Sequence, residues 1–483
     1  MPNLLYDTND WTFDRLSRAE DAIRQIALEE LRLDVYPNQI EIIGSDQMLD
    51  AYSSNGLPLM YNHWSFGKHF LQQMHSYRKG YSGLAYEIVI NSSPCISYLM
   101  EENSMTMQTL VIAHAAYGHN HFFKNNYLFR QWTDAEGILD YLNFAKHYIN
   151  KCEERYGTDL VEQTLDACHA IMDYGVDKYK RPSKLSKKQE LEQQKSREEY
   201  VQQQANELWR TLPKGKKKQT EDEEIVFPKE PQENIMYFIE KHSPSLESWQ
   251  REIVRIVRKI SQYFYPQRQT KLMNEGWASF VHYYIMNRLW EKEMISDGHF
   301  MEFLHSHSSV LTQLPYNHKH YNGFNPYAFG FDIFTDIRRI CTNPTDEDRE
   351  YFPHLMGKDW LETCLDAVRN YRDESFVLEF LSPSLMRKWR LFEITNNEAD
   401  DFVTVTGIQD RRGYDKIRQS LSYQYSTTSR QPNIQVVNAN LKGTRELELH
   451  YTAVNDIELE NSNTFKVLKH IEFLWGYPAK LTN

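Results

Sequence analysis

Apolar residues recur every three to four positions over most of this chain, which is the period of an amphipathic helix. "DWTFDRLSRAEDAIRQIALEELRLD" near the start has this spacing, with Asp10 or Thr12 placed to cap it. "DAEGILDYLNFAKHYINKCEERYG" begins at a Thr133–Asp134 cap and ends at Gly157, and "DLVEQTLDACHAIMDYG" ends at Gly175. The same period returns in "PSLESWQREIVRIVRKISQYF" and "LMNEGWASFVHYYIMNRLWEK", and helical signals continue to about Phe392. One interruption stands out. Ala85 to Ile90 is a short, β-branched apolar run closed by Asn91, Ser92 and Pro94. It predicts a single strand, followed by a helix from about Ser97.

Two regions break the helical pattern. Residues 181–231 lack an apolar stripe and carry a basic run, Lys214 to Lys218, followed by acidic residues and prolines. They predict an exposed, mobile, charged insertion. From residue 393 the period switches. "DFVTVTGI" alternates as a strand and "GYDKIRQSLSYQY" is helical. "NIQVVNANL" and "ELELHYTAV" flank a turn at Lys442–Gly443. "NTFKVLKHIEFLWG" is helical again, and "PAKLTN" supplies a last strand. The order β-α-β-β-α-β is the ferredoxin-like arrangement, with a four-stranded antiparallel sheet and two helices on one face. The fold class expected is therefore mainly α. Residues 1–392 form a large helical domain with a small strand element, and residues 393–483 form a C-terminal α+β docking domain.

Composition narrows the function classes. The 483 residues are enough for a large core and more than one folding unit. A net charge of −12 with no long basic stripe argues against nucleic acid as a partner. Five scattered cysteines, Cys95, Cys152, Cys168, Cys341 and Cys364, form no C-x-x-C pair and point to reduced thiols in the cytoplasm. No signal peptide and no apolar run of about 18 residues is present, so no membrane span is expected. Phosphate-binding glycine loops and a G-x-S-x-G elbow are also missing, which removes support for kinases and serine hydrolases.

The candidate chemistry lies in histidines and carboxylates. "VIAHAAYGHNHFFKNN" places His114 and His119 five residues apart, about 140° around a regular α-helix. They can share one metal only if the helix bulges or ends near Gly118, which π-bulges and glycine both permit. A hydrogen-bonded buried histidine is the alternative. In "NEGWASFVHYY", Glu275 and His282 lie seven apart on one helical face, with the small Ala278 and Ser279 between them. That face can present ligands to a metal or substrate, or simply pair in a bundle. Asp166, His169 and Asp173 share a third face, where a carboxylate beside an imidazole is either an orienting pair for a ligand or a surface pair. His305 and His307 are two apart, so at most one can point to a given site.

Five blocks together, "HAAYGHNHFFKNNYLFRQWTDA", "MDYGVDKYKRP", "SWQREIVRIVRKISQYFYPQRQTKLMNEGWASF", "NPYAFGFDIFTDIRRI" and "DESFVLEFLSPSLMRKWRLF", resemble the SpoVR family, the stage V sporulation protein R group, over nearly the whole chain. The resemblance implies a link to spore cortex formation in spore formers. In other bacteria it implies a stress-response setting with two partners, a PrkA-type serine kinase and a von Willebrand A-like protein. The "EGWA" helix is similar to one in some helical zinc peptidases, where a Glu completes a site begun by two histidines. On that analogy His114, His119 and Glu275 bind Zn2+, His169 or His282 is a further ligand or proton shuttle, and Glu275 and His282 carry the catalysis. The sequence lacks the Glu of an HExxH motif, so it does not show a water-activating base. The expectation is a zinc-dependent, amide-bond hydrolase tied to cell-wall metabolism. The alternative is a non-enzymatic regulatory binding protein.

Overall fold

The computed structural model describes residues 4–53, 60–78, 87–180, 227–395 and 404–483, apart from short gaps at 229, 320, 322, 409, 427–430, 442 and 454–457. Most of the expected insertion, residues 181–226, lies outside the described residues.

Ten helices and eight strands carry the argument. They are α1 (Phe13–Gln25), β1 (Asn38–Ile43), β2 (Glu87–Ile90), β3 (Cys95–Met100), α2 (Met105–Ile112), α3 (Thr158–Ala170), α4 (Ser248–Gln269), α5 (Lys271–Glu291), α6 (Asp297–Val310), α7 (Pro326–Thr342) and α8 (Asp373–Phe380), then β4 (Glu393–Thr395), β5 (Thr404–Gly407), α9 (Arg411–Tyr425), β6 (Asn433–Ala439), β7 (Leu447–Thr452), α10 (Asn461–Trp475) and β8 (Ala479–Thr482). A π-helical turn, Ala113–His119, continues α2. Caps start these helices where the sequence signals them. Thr12 accepts the Arg15 N–H at α1, and Asn325 accepts the Tyr327 N–H ahead of Pro326 at α7. Among the described residues no helix is long and apolar enough to cross a membrane, and all five cysteines are buried and unpaired.

The apolar faces gather into two main clusters. The first joins α1, α2, α5, α7, α8 and α9 around Trp277, Phe280, Phe334 and Phe376. The second joins α3, α4, α10 and the β6–β8 sheet around Trp249, Ile253 and Trp475. Two long helices, α4 and α5, link them end to end across Thr270, whose backbone leaves helical geometry (φ −134°, ψ 20°). Asp373 receives α5 at this break: its carboxylate accepts the N–H groups of Leu272 and Met273, both at 2.9 Å. Those are orphan donors of a helix N-terminus, and the negative charge suits its dipole.

Two expectations are corrected. The helix expected from Ser97 is strand β3 there, and helix begins only at Met105, capped by Ser104. β3 lies between β1 and β2, parallel to one and antiparallel to the other. A central strand buried on both faces reads as a continuous apolar run, which periodicity alone does not separate from buried helix. β1, mostly half-buried along its length, lies outside the segments whose periodicity predicts a strand. At the C-terminus the helices and strands fall where expected, but the four-stranded ferredoxin-like sheet does not close. β5 pairs with β4, and the second sheet runs β6-β7-β8 with a parallel β7–β8 pair. The reason is packing. Tyr414, Ile417 and Leu421 of α9 face the first cluster, whereas Ile471, Leu474 and Trp475 of α10 face the second.

Two stability predictions follow from this packing. A Cβ on Gly276 would lie 2.4 Å from Gly330 backbone atoms, and one on Gly330 would lie 2.3 Å from the Leu272 carbonyl oxygen. Gly276→Ala should therefore destabilise by about 1–3 kcal/mol or more. Gly298→Ala, whose Cβ meets only the Ser296 hydroxyl at 3.8 Å, should leave the melting temperature essentially unchanged. Buried Asp348 gives the second prediction. Burial raises its pKa, but Arg339 at 2.6 and 2.9 Å and the Thr345 hydroxyl and amide outweigh this and hold it at about 2. The folded pKa lies below the unfolded one, so this stabilisation is present above about pH 4 and is lost as pH falls toward 2. It amounts to about 2 kcal/mol. Melts from pH 6 to 2 should show a shallower acid loss in Asp348→Asn.

Candidate metal centre

The π-helical turn decides the geometry of the two histidines. An i→i+5 turn stacks residues five apart on one face, where a regular α-helix separates them. His114 and His119 accordingly meet with ring centroids 4.6 Å apart and planes perpendicular. The turn lies directly on α5. A Cβ on Gly118 would come within 2.6 Å of Ala278 Cα, so only glycine permits this approach. His121, the third histidine of that stretch, turns away: its Nδ1 accepts the Asp34 N–H, and its ring packs near Trp277.

Two carboxylates complete the cluster. Glu275 of α5 puts Oε2 3.9 Å from His114 Nε2 and 3.5 Å from His119 Nε2. Glu87, at the start of β2, puts Oε1 3.4 Å from His114 Nε2. One ligand atom from each of Glu87, His114 and His119 lies within 4.8 Å of the others. Donors bound tetrahedrally at about 2.0–2.2 Å from zinc stand about 3.3–3.6 Å apart, so these spacings are close to those of a ligand set. The Glu87 and Glu275 side chains are 19% and 16% exposed, against 4% for His114.

Hydrogen bonding leaves the inward atoms free. His119 Nδ1 donates to Asn274 Oδ1 at 2.9 Å, which leaves the Nε2 lone pair bare. His114 Nδ1 lies 2.9 Å from His282 Nδ1, and His282 Nε2 lies 2.8 Å from His307 Nδ1. If each ring donates to the next, the row is satisfied and His114 also keeps a bare Nε2. Burial, together with the neighbouring imidazoles, lowers the pKa values of His114 and His282 well below the ordinary value; burial brings that of His307 to about 4. These rings are neutral, as ligands and their supports must be. His114 Nε2 and Glu275 Oε2 are both buried without a hydrogen-bond partner. Burial, then the charge of Glu275, raises the Glu87 pKa to about 8. Among the described residues no Lys or Arg is ion-paired with either carboxylate.

The structure thus brings His114, His119 and Glu275 together. It places His282 behind His114, where it orients that ring, and not at the accessible side. His169 joins a different group. Its Nε2 bonds the Tyr61 hydroxyl at 2.5 Å and its ring meets His63, while Asp166 bonds Trp64 and Asp173 pairs with Arg268. Glu87 and Asn274 are the residues sequence reading missed. Glu87 is a lone carboxylate within the Ala85–Ile90 strand run and Asn274 is the neighbour of Glu275; nothing local marks either. His307 is the one of its pair that points inward.

No solved structure matches the chain. The uncharacterized protein YcgB of Escherichia coli (strain K12) is 55% identical over 477 residues, 99% of this chain and 93% of the relative. The family model described as SpoVR like protein matches residues 10–430, and the SpoVR-like C-terminal domain matches 432–483. The two models cover both hydrophobic clusters and the His/Glu centre between α5 and the π-turn, and the chain belongs to the SpoVR family.

Proposed function

We propose that the chain is a zinc-dependent hydrolase of amide bonds, with His114, His119 and Glu275 as metal ligands. The observation that carries this reading is the convergence of a buried, unpartnered imidazole nitrogen (His114 Nε2) and a buried, unpartnered carboxylate oxygen (Glu275 Oε2) with His119 Nε2 on one space. Two carboxylates without a cation are costly to bury together, and a divalent ion would offset them. When bound, such an ion supplies Lewis acidity and brings the pKa of a coordinated water to about 7. The chain supplies the rest. Asn274 and His282 hold the ligand rings in the tautomers that expose Nε2. Glu87 takes the place of the carboxylate that an HExxH helix would provide: it reaches the same space from β2 and is placed to accept a proton from an attacking water. Substrates of the cell-wall precursor type suit the family's link to cortex formation. On the alternative reading the chain is a regulatory protein acting with a PrkA-type kinase and a von Willebrand A-like protein.

Metal content separates these readings. Protein dialysed against zinc and analysed by mass spectrometry should hold metal stoichiometrically. Glu275→Gln should lose it while keeping its helix, since Gln and Glu have similar helix propensity. His169→Ala should retain it. Wild-type protein that binds no zinc after this treatment would reject the ligand assignment.

Activity tests the base. With cell-wall stem peptides as substrates and released amine as the readout, Glu87→Gln should keep its metal and lose about 10²–10⁴-fold in rate. Asn274→Ala, lacking the ring's support, should instead weaken metal affinity by about 10–100-fold. A Glu87→Gln enzyme as active as wild type would remove Glu87 from the reaction.

A further inference from the structure

Three buried imidazoles form a row that leads away from the carboxylates. His114 Nδ1 meets His282 Nδ1 at 2.9 Å, and His282 Nε2 meets His307 Nδ1 at 2.8 Å. A neutral imidazole has one N–H donor and one bare acceptor nitrogen. With both bonds made, the row therefore has only two proton orders. In the first, His114 Nδ1 donates to His282 and His282 Nε2 donates to His307. In the second, every proton sits on the opposite nitrogen, and His114 Nε2 carries an N–H. Only the first order turns a lone pair of His114 toward Glu87 and Glu275.

Two observations select the first order. The Ala278 carbonyl of α5 also takes a hydrogen bond from the His114 ring. His114 Nε2 has no hydrogen-bond partner, so Nδ1 is the donor, and a carbonyl oxygen can only accept. In the reverse order, the His114 Nε2–H would face Glu87 Oε1 at 3.4 Å and Glu275 Oε2 at 3.9 Å. Both lie beyond the usual N–H···O range of about 2.7–3.2 Å. With His114 donating, His282 Nδ1 accepts and the His282 Nε2–H needs an acceptor of its own. His307 Nδ1 is that acceptor. Tyr283, Phe303 and Phe331 pack against the His307 ring, with centroids 4.9, 5.6 and 5.1 Å away, and hold it in place.

We propose that His307 of α6 is a positioning residue that sets the proton order of this row and so keeps His114 Nε2 unprotonated. It acts through His282, not by contact with a ligand atom. Without its acceptor, the His282 Nε2–H would be buried and unsatisfied, which is costly, and reversal of the row would relieve it. The proton order stands without a metal. Its consequence for zinc affinity rests on the metal reading above.

The test uses the full chain, metal-free, with isotope-labelled histidine. Nuclear magnetic resonance reads which nitrogen of each ring carries the proton, and single substitutions assign the rings. Wild type should show protons on His114 Nδ1, His282 Nε2 and His307 Nε2. His307→Asn keeps an acceptor oxygen where Nδ1 stood and should preserve the pattern at His114 and His282. His307→Phe keeps the packing, removes the acceptor, and should move the His114 proton wholly or partly to Nε2. His307→Leu serves the same purpose if the phenylalanine variant does not fold. Zinc affinity, read by competition with a chromophoric chelator, should fall about 10–100-fold in His307→Phe and stay within about threefold in His307→Asn. A His114 proton on Nε2 in the wild type, or an unchanged His114 tautomer in a folded variant without the acceptor, would overturn the proposal. So would a His307→Asn variant that behaves like His307→Phe. Wild-type protein with the expected proton order that binds no zinc would uphold the role of His307 and reject the ligand assignment instead.

Discussion

The close approach of the π-turn to α5 is the contact on which the candidate site depends. Gly118 lies against Ala278 with no room for a side chain, and the turn's wider winding brings His114 and His119 onto the side that faces Glu275. A regular helix through the same residues would keep one imidazole and lose the other. α5 is pressed from its far side as well, where Gly276 meets Gly330 of α7. Small residues at both crossings let three backbones pack closely enough for short side chains to share one space. The carboxylate of Asp373 holds the end of α5 from which Asn274 and Glu275 project.

The electrostatics follow from that packing. His114, His282 and His307 are buried and held neutral, and His119 Nδ1 donates to Asn274 Oδ1. The Glu87 and Glu275 side chains keep some exposure, but Glu275 Oε2 itself is buried. Imidazole nitrogens beside two carboxyl groups crowded enough to raise the Glu87 pKa to about 8, with no paired Lys or Arg among the described residues, make an arrangement that favours a cation. The supporting layer is built from chain-distant parts, Asn274 and His282 from α5 and His307 from α6.

The sheet contributes to the site as well. Through β2 it delivers Glu87, and among the described residues β1 forms its outer edge. The helical bundle alone would not supply this second carboxyl group. The second cluster, with α10 and the β6–β8 sheet, is joined to the first by α4 and α5 meeting at Thr270.

Much of this was legible in the sequence. The helices from α3 to α8, the β6–β7 hairpin and α10 follow from period, caps and turn residues, which are local signals. The five-residue spacing of His114 and His119 stated its own condition, a bulge, and Glu275 and His282 share a face because seven residues make two turns. Other features were not legible. β3 reads like a buried helix because both of its faces are covered. α9 and α10 carry similar stripes, yet they face different clusters, which no local pattern distinguishes. Glu87 enters the site through strand pairing, and His169 leaves it through contacts with Tyr61 and His63. The sequence by itself determined which segments are helical and which side chains can bind a metal, because propensity and chemistry belong to each residue. Only the tertiary structure decided which of those side chains meet, because convergence depends on backbones packed from distant parts of the chain.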